Sequence, residues 1–503
     1  MRVISRRNFL LRSAGTGLAL ATTVRAGWPR SSSQQFDYYI GPSGSDSNSG
    51  TQANPWAITT LTEESRNYRK IAGKRIGLLD GTYDISGFGI QKSGNWVRLR
   101  VPGGSQANPT VIQSVNPRKA IITGKSGSTA PGVGALIGNG ANGIGANSDF
   151  AYITLKDLTV TGSNGTAVSF CGVSPSERNC VGIVIDGCHI FDVMNKDASA
   201  NCGGIHLGNG GVSGALVHNC VIHDCYCVGK APRTLENCYA IMEWAQNTTV
   251  EYCTLYNAHG LIRQKNAGGP PFGMTIRFNY LYGGPKGSNA ALVGFNNAAG
   301  TSPPYPATNV HNNVFETVPV YYAANNGADG FQADWNFFNN TMYLDGISGC
   351  VGPFISAAPS LCTVRYYNNF HVRRNASPGG SGRGDAQFGS QPNAWAIIDF
   401  NRWEADSKFG VSAGAHAYPT SLMSFEQWRG IKTSPSPDAH SSTAAAKFIG
   451  DIVAGAGAHQ HKLAQGSPWA TAGRAGGGVL GSTVEIGAWG AGATQIGADF
   501  SVA

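Results

Sequence analysis

The sequence predicts an all-β chain: a single-stranded parallel β-helix, a solenoid with capped ends. Three observations predict it. A short pattern, apolar-x-x-(small polar or Cys)-x-apolar, recurs along the chain at Leu155/Leu158/Val160, Ile185/Cys188/Ile190, Val217/Cys220/Ile222, Val250/Cys253/Leu255, Ile276/Asn279/Leu281, Val310/Asn313/Phe315 and Phe337/Asn340/Met342. Its middle positions step by 30, 32, 33, 26, 34 and 27 residues, a period that marks solenoids, propellers and arrays. The runs between are only four to six residues long, alternate in polarity and end in Asn or Gly, which reads as strands rather than helices. No repeated Trp-Asp or Gly-His pair marks a propeller blade. Cys188, Cys220, Cys253, Asn279, Asn313 and Asn340 are therefore expected in one column at a corner. Asn suits such a place because it tolerates left-handed backbone and bonds neighbouring peptide groups.

Composition agrees. Charged residues make up 13% of the 503, and Gly contributes 69, roughly half and twice the usual shares. The net charge is +8, but Arg2, Arg6, Arg7, Arg12 and Arg25 all precede residue 27. Without them the balance is +3, poor support for nucleic acid as a partner.

In chain order, Ser5-Arg6-Arg7-Asn8-Phe9-Leu10 precedes a mildly apolar stretch, Ala14 to Ala21, and a Val24-Arg25-Ala26 cleavage site. This resembles a bacterial twin-arginine signal peptide, which implies export of a folded protein to the periplasm or beyond. The apolar run is shorter than the roughly 20 residues of a membrane span, so none is expected in the mature protein.

Residues 27–36 read as a linker. Next come Tyr38-Tyr39-Ile40-Gly41-Pro42-Ser43-Gly44-Ser45-Asp46 through Asn54-Pro55-Trp56, and then Leu78-Leu79-Asp80-Gly81-Thr82-Tyr83. These motifs resemble the entry of secreted right-handed parallel β-helix proteins of the pectate-lyase-like superfamily, and imply that hand for the solenoid. Leu61 to Ile71 is expected as a short amphipathic helix capping the open end, with Asp46 in a turn. The chain thus divides into a leader (1–26), a linker (27–36), a cap with first coils (37–110), the β-helix (111–375) and a closing region (376–503). That last region holds Ser424-Phe425-Glu426-Gln427-Trp428, Gly466-Ser467-Pro468-Trp469 and Glu485-Ile486-Gly487-Ala488-Trp489, and resembles the tails of secreted β-helix polysaccharide enzymes. Asp438, His440 and Ser441 cluster too locally for a hydrolytic triad.

Nine of the 11 cysteines lie between Cys171 and Cys253. Burial in the stack is the expectation, with loop disulfides such as Cys171–Cys180 or Cys350–Cys362 open to an exported chain.

The stretch Cys238 to Gly284 holds the candidate chemistry. Residues two apart on a strand share a face, so Arg263 and Lys265 belong together. Aligning Ala240 with Gly260 sets Glu243 level with Arg263 and turns Met242, Trp244, Ile262 and Gln264 away. An outward Glu/Arg/Lys group suits an acidic sugar. A lyase must neutralise the uronate carboxylate, remove the proton α to it and protonate the leaving oxygen; a lysine beside an arginine has its pKa pushed down toward a base's range. The competing reading is an ion-pair ladder between coils.

Ala258-His259-Gly260-Leu261-Ile262-Arg263-Gln264-Lys265, followed by Ala290-Ala291-Leu292-Val293-Gly294-Phe295, resembles the site of the alginate lyase and chondroitinase B group. The resemblance implies Lys265 as base. The group's acidic arginine falls at Gly294 or Phe295, so Arg263 or His259 would have to replace it. Trp244 and Arg263 are the candidate substrate-binding residues, and Glu243, Asp192 and Asp224 the candidate ligands of a Ca²⁺ ion. The expected activity is a monomeric polysaccharide lyase on an acidic polymer. A hydrolase on the same fold is an alternative, although no Asp-Asp dipeptide is present. A binding protein that uses Trp244, Tyr252, Tyr256 and Tyr282 as stacking platforms is another.

Overall fold

The structure is a computed structural model. It describes residues 35–89, 97–124, 135–139, 151–171, 180–196, 201–208, 211–234, 236–264, 273–293, 295–296, 305–320, 324–325, 333–345, 354–355, 364–375, 385–388, 396–411, 421–431, 436–445, 447–453, 455–465, 467–470 and 495–498. Within the unit 37–503, three long sheets of twelve, ten and seven strands run side by side. Every strand pairing in them is parallel. One coil reads Leu216–His218 in the twelve-stranded sheet, Val221–Cys227 in the ten-stranded sheet and Cys238–Glu243 in the seven-stranded sheet. The next runs Thr249–Glu251, Thr254–Ala258 and Gly260–Gln264 in the same order. This is the expected parallel β-helix. No described helix is long and apolar enough to cross a membrane.

Three stacked apolar rows fill the interior. Ile112, Leu155, Ile185, Val217, Val250, Ile276, Val310, Phe337 and Tyr366 align in the first. Val160, Ile190, Ile222, Leu255, Leu281, Phe315 and Met342 form the second. Leu99, Ile137, Val168, Ile205, Ile241, Ile262 and Leu292 form the third. All are essentially buried, each contributing about 1.5–3 kcal/mol by burial. The recurring sequence pattern is the first two rows with the ladder residue between them.

The ladder forms the corner between the twelve- and ten-stranded sheets. Asn279 Nδ2 donates to the Val250 carbonyl, Asn313 Nδ2 to Ile276, Asn340 Nδ2 to Val310 and Asn369 Nδ2 to Phe337. The thiols of Cys220 and Cys253 reach the equivalent carbonyls of Ile185 and Val217. The left-handed backbone lies one residue earlier than the asparagine argument places it: Asp157, Gly187, Asn219, Tyr252, Phe278, Asn312, Asn339, Asn368 and Phe400 take φ between 52 and 67°. The ladder residue turns its side chain into the corner, and its predecessor makes the turn. The column continues past residue 375 to Asn401, where Ser441 Oγ and Asp438 Oδ1 end it.

Both ends are closed. At the N-terminal end, two 3-10 turns, Ile58–Leu61 and Tyr68–Ile71, replace the single helix expected over this stretch. The reason is Asp46, whose carboxylate accepts the hydroxyls of Thr59, Thr60 and Ser65 at 3.0, 2.8 and 2.9 Å and holds the chain in a turn between them. At the other end, Phe425–Arg429 is an α-helix with a Ser424/Gln427 capping box, its Trp428 stacked on Phe409. Asp438 accepts from Trp428 Nε1, and His440 pairs with Asp399 instead, so these two and Ser441 form no triad. Farther on, the chain lies on the outer face of the ten-stranded sheet, where the Gly455 N–H meets Glu316 Oε1 at 2.7 Å and Trp469 packs on Phe370.

The nine cysteines from Cys171 to Cys253 are all buried thiols, and no disulfide joins Cys171 to Cys180. Cys350 and Cys362 lie outside the described residues.

Candidate functional site

The outer face of the seven-stranded sheet is built by the alternation of its strands. Register sets Ser169, His206, Met242 and Arg263 in one outward row across four coils. The core row lies one residue before them and a second inward row one residue after: Phe170, Leu207, Glu243 and Gln264. Tyr239, Met242, Trp244 and Ala290 form a buried cluster of their own on the outer side.

This register corrects the sequence alignment by one residue. Tyr239, not Ala240, pairs with Gly260. Met242 is therefore level with Arg263, and Glu243 is level with Gln264. Ala240 and Ile241 both reach the core, as do Leu261 and Ile262, so strict alternation is interrupted there. Glu243 is fully buried inside the coil, where Thr248 Oγ1 donates to it at 3.0 Å. Burial pushes its carboxyl up to about 8, against the bonds from Thr248 and Gln264. It belongs to no outward Glu/Arg/Lys group.

Arg263 does face outward and is half-buried. Its Nη1 bonds the Tyr239 hydroxyl, and its guanidinium carbon stands 5.0 Å from the centre of the Tyr239 ring. Its Nε is buried with no partner among the described residues. Lys265, the expected base, lies outside the described residues. His259 is fully buried at the corner before the strand; its Nδ1 lies 2.8 Å from the Thr234 carbonyl and its ring packs edge-on to Tyr226. Burial lowers its pKa, and it is held away from the outward row. Trp244 is buried against the same row, with its ring edge-on to His206 at 5.0 Å.

Of the carboxylates expected as calcium ligands, Asp192 and Asp224 take equivalent places on successive coils, whereas Glu243 is buried on a different sheet. Asp192 and Asp224 occupy a second left-handed corner, in the ten-stranded sheet, with φ of 55 and 54°, and Asn257 follows at 51°. Asp224 is held down at about 2: burial opposes ionisation, but His223 and Lys286, each at 2.7 Å, outweigh it. Glu251 pairs with Arg277 at 2.6 Å. Among the described residues, no three His, Cys, Asp or Glu are grouped so that they could hold a metal ion.

The ion-pair ladder read as the competing explanation exists on a different sheet. Lys156, Asp186, His218, Glu251 and Arg277 align on the outside of the twelve-stranded sheet. The expected stacking platforms are columns of rings. Phe191, His223 and Tyr256 lie parallel at 5.2 and 4.6 Å, and Tyr252 stacks on Phe278 at 5.1 Å. Tyr282 lies 6.3 Å from Tyr256. Rings stacked on their neighbours present edges rather than faces to a ligand.

His206 and Ser169 were not legible as site residues. Their place on the row follows only from the register of Ser169 with His206 and of His206 with Met242.

No protein-family model matches the chain, and no curated protein matches it. Solved structures do. Pectate lyase Pel9A superposes with a TM-score of 0.53 at 14% identity, over 90% of this chain and 95% of that one. A rhamnogalacturonan lyase gives 0.42 at 16%, over 72% and 87%. The A-module of the Azotobacter vinelandii mannuronan C-5 epimerase AlgE4 gives 0.40 at 13%, over 75% and 89%. The chain shares the parallel β-helix fold of that pectate lyase.

Proposed function

We propose that this chain is an exported polysaccharide lyase that cleaves a uronate polymer by β-elimination on the outer face of the seven-stranded sheet. One observation carries the reading. Among the described residues, the outward row from Ser169 to Arg263 offers cationic and titratable nitrogen groups and no carboxylate, because Glu243 turns inward. Such a face attracts an acidic polymer. Among the described residues it lacks the paired carboxylates of a glycoside hydrolase. Arg263, fixed on Tyr239, suits bidentate pairing with a uronate carboxylate, which withdraws charge and acidifies the adjacent C5 proton. Lys265, two residues on in sequence, is the proposed base. A fold shared with a pectate lyase agrees with this reading.

The test is a screen of the mature protein against alginate, pectate, glycosaminoglycans and neutral glycans, with and without chelator, following ultraviolet absorbance and reducing ends together. A lyase yields absorbance and reducing ends in step. Reducing ends without absorbance mean hydrolysis. Binding without cleavage means a carbohydrate-binding protein.

A further inference from the structure

Residues 228–234 follow the strand Val221–Cys227 but do not stay on their own coil. They run along the solenoid, over the starts of the next two strands of the seven-stranded sheet. His259 stands just before the strand Gly260–Gln264, and its Nδ1 lies 2.8 Å from the Thr234 carbonyl. Asn289 stands just before Ala290–Val293, and its Nδ2 donates to the Arg233 carbonyl at 2.7 Å. Two consecutive carbonyls are thus pinned by two successive coils. Gly260 is in register with Tyr239 on one side and with Ala290 on the other. The pinned segment therefore lies at the end of the sheet where the Arg263 guanidinium rests on Tyr239.

This path also places the Arg233 side chain. Its stem lies on Gly287, where a Cβ would stand 2.5 Å from Arg233 Nε. Gly287 has φ of 91°, a backbone that favours glycine, and the Tyr226 hydroxyl donates to its carbonyl at 2.9 Å. Arg233 is exposed. Two other cations of this corner already have partners: Lys230 meets Glu236 at 3.4 Å, and Lys286 meets Asp224 at 2.7 Å. Among the described residues no carboxylate pairs with Arg233 or with Arg263. Two guanidinium groups are therefore held at one end of the sheet without a counter-ion. Their supports, Tyr239 and Gly287, stand two coils apart, about 9.6 Å along the solenoid axis.

We propose that Arg233 binds a second carboxylate of the same uronate chain, farther along it than the one Arg263 holds; this rests on the reading of that face as the site of an acidic polymer. A uronate polymer repeats its carboxylate along its length, so two fixed cations engage one chain together. The second contact is then intramolecular with the first and strengthens binding without new surface. A guanidinium meets a carboxylate with two parallel bonds, and an unpaired one gives up no partner to do so. The polymer accordingly runs along the solenoid axis, across the starts of the strands, and Arg233 sets the preference for long chains over short ones.

The experiment measures affinity by calorimetry for wild-type protein, Arg233→Ala, Arg233→Gln, Asn289→Ala and the double variant of Arg233→Ala with Asn289→Ala. The ligands are the acidic polymer that the screen shows to be cut or bound, and the shortest uronate oligomer of it that the wild type binds. Both Arg233 variants are expected to lose polymer-over-oligomer preference by roughly tenfold, the lower end for a hydrogen bond to a charged group. Their polymer binding should also weaken less steeply with added salt. Asn289→Ala frees the Arg233 carbonyl, so it should weaken polymer binding in the wild type and add nothing to Arg233→Ala. Equal losses on polymer and oligomer, or no loss on the polymer, overturn the role of Arg233 and leave the lyase reading intact. A wild-type protein that binds an acidic polymer and releases no unsaturated sugar removes the lyase reading alone, since the same affinities still decide Arg233. A wild-type protein that binds no acidic polymer overturns both.

Discussion

Cys253 and Asn279 hold the same slot on successive coils, and the second completes the backbone of the first: Asn279 Oδ1 accepts the Cys253 N–H at 2.9 Å. The relationship repeats from Asn279 to Asn313, Asn313 to Asn340, Asn340 to Asn369 and Asn369 to Asn401. A carboxamide does two tasks, since its oxygen accepts from the coil before while its nitrogen donates to a carbonyl of that same coil. A thiol does only the second task, and weakly. The chain thus changes from a Cys column to an Asn column without changing the shape of the corner.

Asn340→Ala should therefore cost more than Cys220→Ala. The first strands the Asn313 N–H and the Val310 carbonyl in the interior, at about 1–3 kcal/mol for each unmet group. The second removes one weak thiol bond and a small volume, on the order of 1 kcal/mol. Denaturant unfolding of both variants measures this. Equal losses would mean that side-chain volume, not hydrogen bonding, holds the corner.

Glu243 gives a pH dependence with a definite sign. Its carboxyl sits at about 8 in the folded chain because burial penalises the anion, against roughly 4.3 unfolded. Below the unfolded value both states are protonated and the site costs nothing. As pH rises from there toward 8, the unfolded chain releases its proton and the folded one does not, so stability falls. Glu243→Gln should remove this fall, matching wild type near pH 4 and exceeding it by a few kcal/mol (order of magnitude) at pH 8 and above. Thermal melts of the two proteins across that range decide it. Parallel curves would show that the carboxylate finds solvent or a counter-ion.

Export is tested by Arg6→Lys with Arg7→Lys. Paired arginines are read by the export machinery rather than by charge alone, so the double variant should stay in the cytoplasm as folded protein. Fractionation and immunoblotting follow it. Normal periplasmic accumulation would assign the leader to another route.

The fold was legible because two of the three interior rows and the ladder between them share one short, regularly spaced pattern. Val217, Cys220 and Ile222 repeat as Val250, Cys253 and Leu255 with every spacing kept. The third row is harder to read. Its strands begin after connections of variable length, and Ala240 and Ile241 both face the core, which breaks the two-residue alternation. That break misplaced Glu243. A one-residue slip moves every side chain to the opposite face, so Glu243 seemed to join Arg263 when it joins Gln264. Arg263 kept its outward place because Ile262, Arg263 and Gln264 do alternate as assumed, in–out–in. His206 escaped notice because an isolated histidine in a Gly-rich run carries no local signal. Its meaning comes from Met242 and Arg263 on the next two coils.

Arg263 and Tyr239 make the sharpest test of the site. Tyr239 is fully buried; its hydroxyl bonds Arg263 Nη1 and its ring lies beneath the guanidinium. Arg263→Ala should lower kcat/KM on the uronate polymer by roughly 10²–10³-fold, the scale of losing a donor aimed at developing charge. Arg263→Lys keeps the charge but not the two-pronged geometry, and should fall between wild type and alanine. Tyr239→Phe keeps the ring and removes the bond that aims the guanidinium, so it should raise KM more than it lowers kcat. Initial rates of unsaturated-product absorbance over a range of polymer concentrations separate these effects. If Arg263→Ala cleaves as wild type does, the uronate carboxylate is met elsewhere, and the outward row of the seven-stranded sheet is not where the polymer is cut.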